Sequence, residues 1–207
     1  QEPAAGTVDF QALLDGAPQR PAPVRVHPDQ PAALQYTGGT TGVPKGAVLS
    51  HRNLMANTVQ FVAWGPHPEL HKSVTLGAIP FFHIYGLTVC LTYAAYAGGA
   101  LIPLADPRNL DLLLRTIERF RVTRFPGVPT QYIAVCNHPR VAAGEFDLTS
   151  VDACISGSAP LPVEVKRRFE ELTHGNLVEG YGLTEASPVT HCNPIRGLNK
   201  AGSIGIP

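Results

Sequence analysis

Net charge is the first thing this chain lacks. Its 16 basic and 16 acidic residues cancel, so no global field exists to draw it to nucleic acid or an anionic membrane. Cysteine is scarce: Cys90, Cys136, Cys154 and Cys192 lie far apart without a Cys-x-x-Cys pair. That spacing excludes a disulfide framework or zinc site and implies reduced, buried thiols in a cytoplasmic protein. His67 and His71 have helical ligand spacing, but Pro68 intervenes and no third ligand is near, so no metal role is expected for them. No formally charged residue occurs from Ser73 to Ala105, which raises a membrane span as a reading. Pro80, Gly98-Gly99 and Pro103 divide that run into short pieces, and a buried core is expected instead. The only methionine is Met55, no signal-like segment opens the chain, and Gly202 to Pro207 stops in mid-pattern. A piece of a longer protein is therefore expected.

What is present centres on Tyr36-Thr37-Gly38-Gly39-Thr40-Thr41-Gly42-Val43-Pro44-Lys45-Gly46, with four glycines, three threonines, one lysine and no acid. Glycine lets a ligand approach the main chain, and successive free N–H groups form an anion-binding nest. Threonine hydroxyls add donors, and Lys45 adds a mobile positive charge suited to phosphate. The Walker spacing fails because Lys45 follows Pro44 and precedes Gly46, and Gly-x-Gly-x-x-Gly is absent. A mobile surface turn is the plain alternative.

Strands alternate with helices along the rest of the chain. Strands are expected at 32–36 (buried), 46–49, 74–79, 100–104, 122–125, 151–156 and 177–180. Ser50 is a candidate cap for a helix over 51–64 that buries Leu54, Thr58, Val59 and Val62. Further helices are expected at 9–14, 85–97, 106–120 and 130–137, and from Pro162 onward. The clearest is 106–120, where Leu110, Leu113, Leu114 and Ile117 follow the i, i+3, i+4, i+7 pattern. The order implies an α/β fold with a largely parallel sheet flanked by helices.

Ligands of such sheets bind at loops beyond the strand ends, and three further loops stand there. Pro80 to Gly86 carries His83 among aromatics, where a plain core histidine is the alternative. Ser156 to Pro162 offers Gly157, Ser158, Ala159 and Pro160, small enough for a flat ring to approach closely. Ser158 as a nucleophile is disfavoured because Gly-x-Ser-x-Gly is absent. Glu179 to Pro188 offers the aromatic Tyr181, then Gly182, the Thr184 hydroxyl and the Glu185 carboxylate. That set suits an adenine, a phosphate oxygen and Mg²⁺, which prefers one or two carboxylates plus substrate phosphates. A solvated acid at a helix start is the alternative for Glu185.

Together, and in this order, the four motifs resemble those of the adenylate-forming superfamily of acyl-CoA synthetases, luciferases and peptide-synthetase adenylation domains. The resemblance covers nearly the whole chain. Gly127-Val128-Pro129-Thr130, Asn137-His138-Pro139, Phe146 to Ser150, Asn193-Pro194 and Gly202 to Pro207 are similar to bacterial long-chain fatty acid–CoA ligases. Ser158 departs from the Gly or Ala of many relatives.

The resemblance implies that residues 1–207 are part of an N-terminal ATP- and acyl-binding domain, truncated at both ends and lacking the C-terminal domain. It implies that Thr37 to Lys45 handles the β- and γ-phosphates. Gly157 to Pro160 would line the adenine and acyl site, with Tyr181 stacking on adenine. Thr184 would contact phosphate, Glu185 would bind magnesium, and His83 would border the acyl and nucleotide pockets. The implied reaction joins a fatty acid to ATP, giving acyl-adenylate and pyrophosphate, and then to coenzyme A. The chain alone is expected to show little or no ligase activity. A peripheral contact at the inner membrane face and a homodimer of the parent stay open. So do an aryl-CoA ligase, a luciferase-like or amino-acid-activating enzyme, and a non-catalytic nucleotide-binding remnant. Amino-acid activation is disfavoured because Pro80 to Gly86 offers no acid for a substrate amine.

Overall fold

The computed structural model describes residues 6–20, 22–37, 44–65 and 70–207. The elements run α1 (Phe10–Gly16), β1 (Pro31–Thr37), β2 (Lys45–Ser50), α2 (His51–Trp64), β3 (Val74–Gly77), α3 (Ile84–Gly86), a π-helical stretch (Leu87–Thr92) and α4 (Tyr93–Ala97). They continue with β4 (Ala100–Pro103), α5 (Leu110–Phe120), α6 (Pro129–Cys136), α7 (Pro139–Ala142), β5 (Ala153–Ser156), α8 (Val163–Thr173), β6 (Asn176–Gly182) and β7 (Val189–Cys192).

Local chemistry explains several boundaries. The Ser50 hydroxyl accepts from the Asn53 N–H at 3.1 Å while the Asn53 side chain accepts from the Ser50 N–H at 3.1 Å, a reciprocal cap that starts α2. Asn109 accepts from the Leu112 N–H at 3.0 Å. Helix α5 therefore begins at Leu110 rather than at 106, because the side-chain acceptor fixes the first turn. Pro162 stands just before α8, and the helix ends at His174 with a left-handed φ of 60°.

Strand β3 pairs parallel with β4, and β5 pairs parallel with β6. Arg124 joins the two pairs through single parallel bridges to Thr75 and Ala153. The stretch expected as a strand at 122–125 is thus a one-residue seam inside the sheet. Strand β7 adds antiparallel to β6, and β1 and β2 form a separate antiparallel ribbon. The result is a mixed α/β arrangement in which the central pairings are parallel.

Successive residues on one strand point to opposite faces. Cys154 and Leu177 enter a core with Leu113, Ile117, Tyr132 and Phe169 from α5, α6 and α8. Their neighbours Ile155 and Val178 enter a second core with Phe61, Tyr85, Val89 and Tyr93 from α2 and the 84–97 helical run. Each fully buried large side chain of this kind contributes about 1.5–3 kcal/mol.

Three further expectations need correction. Residues 32–36 do not form a buried strand: Leu34 is 65% and Tyr36 67% exposed, because a two-stranded ribbon covers at most one of its own faces. Helix α2 buries Asn57, Thr58 and Phe61, leaves Leu54 and Val62 half-buried and exposes Val59. Polar contacts choose that face, since Thr58 shares a 2.7 Å hydrogen bond with Thr92. The apolar helix at 85–97 is not uniformly α but turns π at its centre. Among the described residues no helix is long and apolar enough to cross a membrane.

Candidate active site

At the strand ends, three loops distant in sequence close around one cavity of about 250 Å³. Its lining includes His83, Gly157, Ser158, Tyr181, Gly182 and Thr184. The structure therefore brings together one or more residues from every motif after the glycine-rich loop. Ala159, Pro160, Lys45 and Glu185 are not in that lining. Gly38, Gly39, Thr40, Thr41 and Gly42 lie outside the described residues, as does His67. Thr37 and Lys45 are paired across the ribbon, and the Thr37 hydroxyl donates to the Lys45 carbonyl at 3.3 Å. Strand β2, which Lys45 opens, lies beside the 3-10 turn Thr184–Ala186.

The walls of the cavity are set by specific bonds. In the Pro80–Gly86 loop, His83 Nδ1 accepts from the Tyr85 N–H at 3.1 Å. In the neutral ring this puts the proton on Nε2. Gly86 is required by a close approach: a Cβ there would sit 2.5 Å from the Pro80 carbonyl oxygen. Gln35 of β1 donates to the Phe82 carbonyl at 2.7 Å, tying the glycine-rich ribbon to the histidine loop.

The second wall is held by a phenol. Tyr85 is buried, and its hydroxyl donates to the Ile155 carbonyl at 2.7 Å. Its ring lies where a Cβ on Gly157 would meet it at 3.1 Å, so residue 157 has little room for a side chain. Burial pushes the Tyr85 phenol well above its ordinary range, which keeps it a neutral donor. Ser158 takes a left-handed φ of 71° and is exposed.

The third wall is the tight return from β6 to β7. A Cβ on Gly182 would lie 2.4 Å from the Pro188 carbonyl oxygen, and the Leu183 N–H donates to that same oxygen at 3.0 Å. The Thr88 hydroxyl, in the π stretch, donates to the Ser187 carbonyl at 3.1 Å. Asn57 of α2 both donates to and accepts from the Val189 backbone, at 2.8 and 3.1 Å. Tyr181 is 49% exposed, with the His191 ring edge-on at 6.3 Å. Thr184 is half-buried and Glu185 is exposed on the 3-10 turn.

Sequence reasoning gave no role to Asn57, Tyr85 or Glu179. The signal available was a charged residue, Glu179, directly after the apolar Leu177-Val178 of a strand. In the structure Glu179 is buried, accepting from the Leu161 and Gly202 N–H groups at 3.2 and 2.7 Å. Among the described residues no group of three or more His, Cys, Asp or Glu side chains is placed to hold a metal ion. Glu185 is one exposed carboxylate on the 3-10 turn, and Mg²⁺ carried with phosphates needs only one or two carboxylates. The four cysteines are free and buried.

A family model described as "AMP-binding enzyme" matches residues 2–207. A long-chain-fatty-acid–CoA ligase of Bacillus subtilis is 51% identical over 178 residues, covering 85% of this chain and 31% of that protein. The chain thus spans about a third of the length of this curated relative. Among solved structures, apo MatB from Rhodopseudomonas palustris superposes with a TM-score of 0.81 at 32% identity, covering 94% of this chain and 37% of its own. The anthranilate CoA ligase AuaEII, in complex with anthranoyl-AMP, superposes with a TM-score of 0.84 at 27% identity, covering 99% and 39% respectively.

Proposed function

Because this chain belongs to the AMP-binding enzyme family, we propose that it forms part of the ATP- and acyl-binding domain of an AMP-forming fatty acyl-CoA ligase. The observation that carries this reading is the convergence of the His83, Gly157–Ser158 and Tyr181–Thr184 loops on one cleft. The likeness to a long-chain-fatty-acid–CoA ligase supports the choice of acid. The anthranoyl-AMP bound to a relative supports the acyl-adenylate chemistry.

The reaction is limited by charge. A carboxylate oxygen attacks the α-phosphorus of ATP, anion upon anion. The new C–O–P link forms as the bond to the pyrophosphate oxygen breaks. The site must offset repulsion and hold the attack in line. Lys45, with the hydroxyls and N–H groups of Thr37 to Thr41, binds the β- and γ-phosphates. Thr184 donates to a phosphate oxygen. The exposed Tyr181 ring provides a face for adenine, and the Gly157 backbone, with Ser158, Ala159 and Pro160 after it, lines the edge of the ring. Gly182 keeps the third wall tight. His83, an exposed residue of the cleft lining, borders the acyl group and keeps an Nε2 proton available to it.

Glu185 is the residue that would hold Mg²⁺, which when bound supplies positive charge against the phosphates. In the second half-reaction the sulfur of coenzyme A attacks the acyl carbonyl, AMP leaves with the bonding pair, and the thiol proton passes to solvent.

The test is thioester formation by the parent chain with ATP, Mg²⁺ and coenzyme A across long-chain, short-chain, aromatic and amino acids. The expected maximum is with long-chain fatty acids. A maximum with aromatic or amino acids would overturn the substrate, and no product with any acid would overturn the ligase reading.

A further inference from the structure

Glu179 is the one acid buried to 7% exposure in the chain's described core, and none of the steps above uses it. A buried carboxylate is unfavourable unless donors fill its oxygens. Here the donors are backbone groups from two separate segments: Leu161 N–H on Oε1 at 3.2 Å and Gly202 N–H on Oε2 at 2.7 Å. The Glu179 carbonyl adds a third tie, accepting from the Asn193 N–H at 3.0 Å. Asn193 continues the network, accepting from the Lys200 N–H at 3.2 Å and donating to the Ser203 carbonyl.

The Leu161 tie bears on the cleft, whose lining includes Gly157 and Ser158 of the same loop. The loop beginning at Gly157 is held at its start, where the Gly157 N–H donates to the Gly127 carbonyl at 3.2 Å. Its far end is held by Glu179 through Leu161, whose side chain is itself buried. Glu179 lies two residues before Tyr181 on β6. One carboxylate therefore spans the Gly157–Ser158 wall and the Tyr181–Thr184 wall. Its second oxygen fastens the Gly202 segment, a motif for which the reaction gave no use.

We infer that Glu179 is a positioning residue: it sets the separation of the two nucleotide-binding walls and couples the Gly202–Ile206 segment to them. The inference rests on the proposed ATP site. The carboxylate suits this task because it accepts on both oxygens, whereas an amide presents a donor to one of the two N–H groups. Aspartate is one methylene too short to reach both.

The test uses the parent chain with Glu179→Ala and Glu179→Gln, alongside Phe169→Leu, which loosens the other core without touching the cleft. Glu179→Ala is expected to raise KM for ATP about tenfold and Glu179→Gln about threefold, with kcat held within about twofold. Phe169→Leu should lower the melting temperature with KM unchanged. Hydrogen exchange supplies a readout independent of activity: in Glu179→Ala, amides of 157–162 and of 200–205 should both lose protection while those of α5 keep theirs. An unchanged KM for ATP in active enzyme, or protection retained in either segment, overturns the inference. A wild-type parent with no carboxylate-dependent activity would remove the functional reading, and the exchange measurement would still decide the positioning role.

Discussion

The hydroxyls of Tyr85 and Tyr132 both reach the Ile155 carbonyl, at 2.7 and 3.0 Å. Each has a second acceptor for its single proton, the Gly127 carbonyl at 3.2 Å for Tyr85 and the Phe125 carbonyl at 2.8 Å for Tyr132. The Gly127 N–H reaches the Ile155 oxygen at 3.0 Å. Up to three donors share the two lone pairs of this carbonyl, so loss of one phenol is covered by the others. Tyr85→Phe and Tyr132→Phe should each cost about 0.5–1 kcal/mol. The double variant should cost more than their sum. Urea unfolding of the four proteins in the cycle checks this, and strict additivity would contradict a shared acceptor.

Ser158 holds a left-handed backbone at the cavity wall, with φ 71°. Ser158→Gly should raise stability by about 0.5–1 kcal/mol, because a residue with a Cβ is strained there. Ser158→Ala keeps the strain and should leave stability within about 0.5 kcal/mol of wild type. Thermal melts of the two variants separate backbone strain from any role of the hydroxyl.

Gly182 and Gly157 have different neighbours. A Cβ at 182 meets the Pro188 backbone at 2.4 Å, whereas one at 157 meets the Tyr85 ring at 3.1 Å. Gly182→Ala should therefore destabilise by about 2–3 kcal/mol and Gly157→Ala by about 1 kcal/mol. Equal losses in chemical denaturation would contradict the difference between a fixed backbone and a ring that can shift by tenths of an ångström.

Burial pushes the Cys90 and Cys192 thiols up from 9.0 to about 12, and Cys154 is raised further by the same cause. Folding holds these groups neutral, so their contribution is fully present below pH 9.0 and is lost as pH climbs through about 12. Each should remove about 1.4 kcal/mol per pH unit across that window. Unfolding free energies at pH 7, 9, 10 and 11 should be level first and then fall steeply. A flat profile to pH 11 would contradict it.

Much of this was legible before the structure. Ser50 and the leucines of α5 announce their helices because the signals are local: a cap and a 3.6-residue period. The loops of His83, Gly157 and Tyr181 were recognisable as motifs, and their meeting follows from the strand-end rule for α/β sheets. What escaped depends on contacts far apart in the chain. Helix α2 shows its face only once Asn57 finds Val189, 132 positions away. The 122–125 segment reads as a strand because Val122 and Phe125 are apolar, yet only Arg124 bridges both neighbours. Strand β7 is four half-polar residues whose pairing is decided by β6. Glu179 carries no local mark of its two backbone donors, which arrive from 18 residues before it and 23 after.

The most direct test is carboxylate-dependent ATP–pyrophosphate exchange by the parent chain, wild type against Glu185→Ala and Thr184→Val. A cleft that activates a fatty acid on ATP should give exchange that requires both the acid and Mg²⁺. It should fall about 100-fold or more in Glu185→Ala and about tenfold in Thr184→Val, as expected when groups that meet developing charge are removed. Undiminished exchange in both variants would contradict the site, and no exchange in the wild type would contradict the reaction.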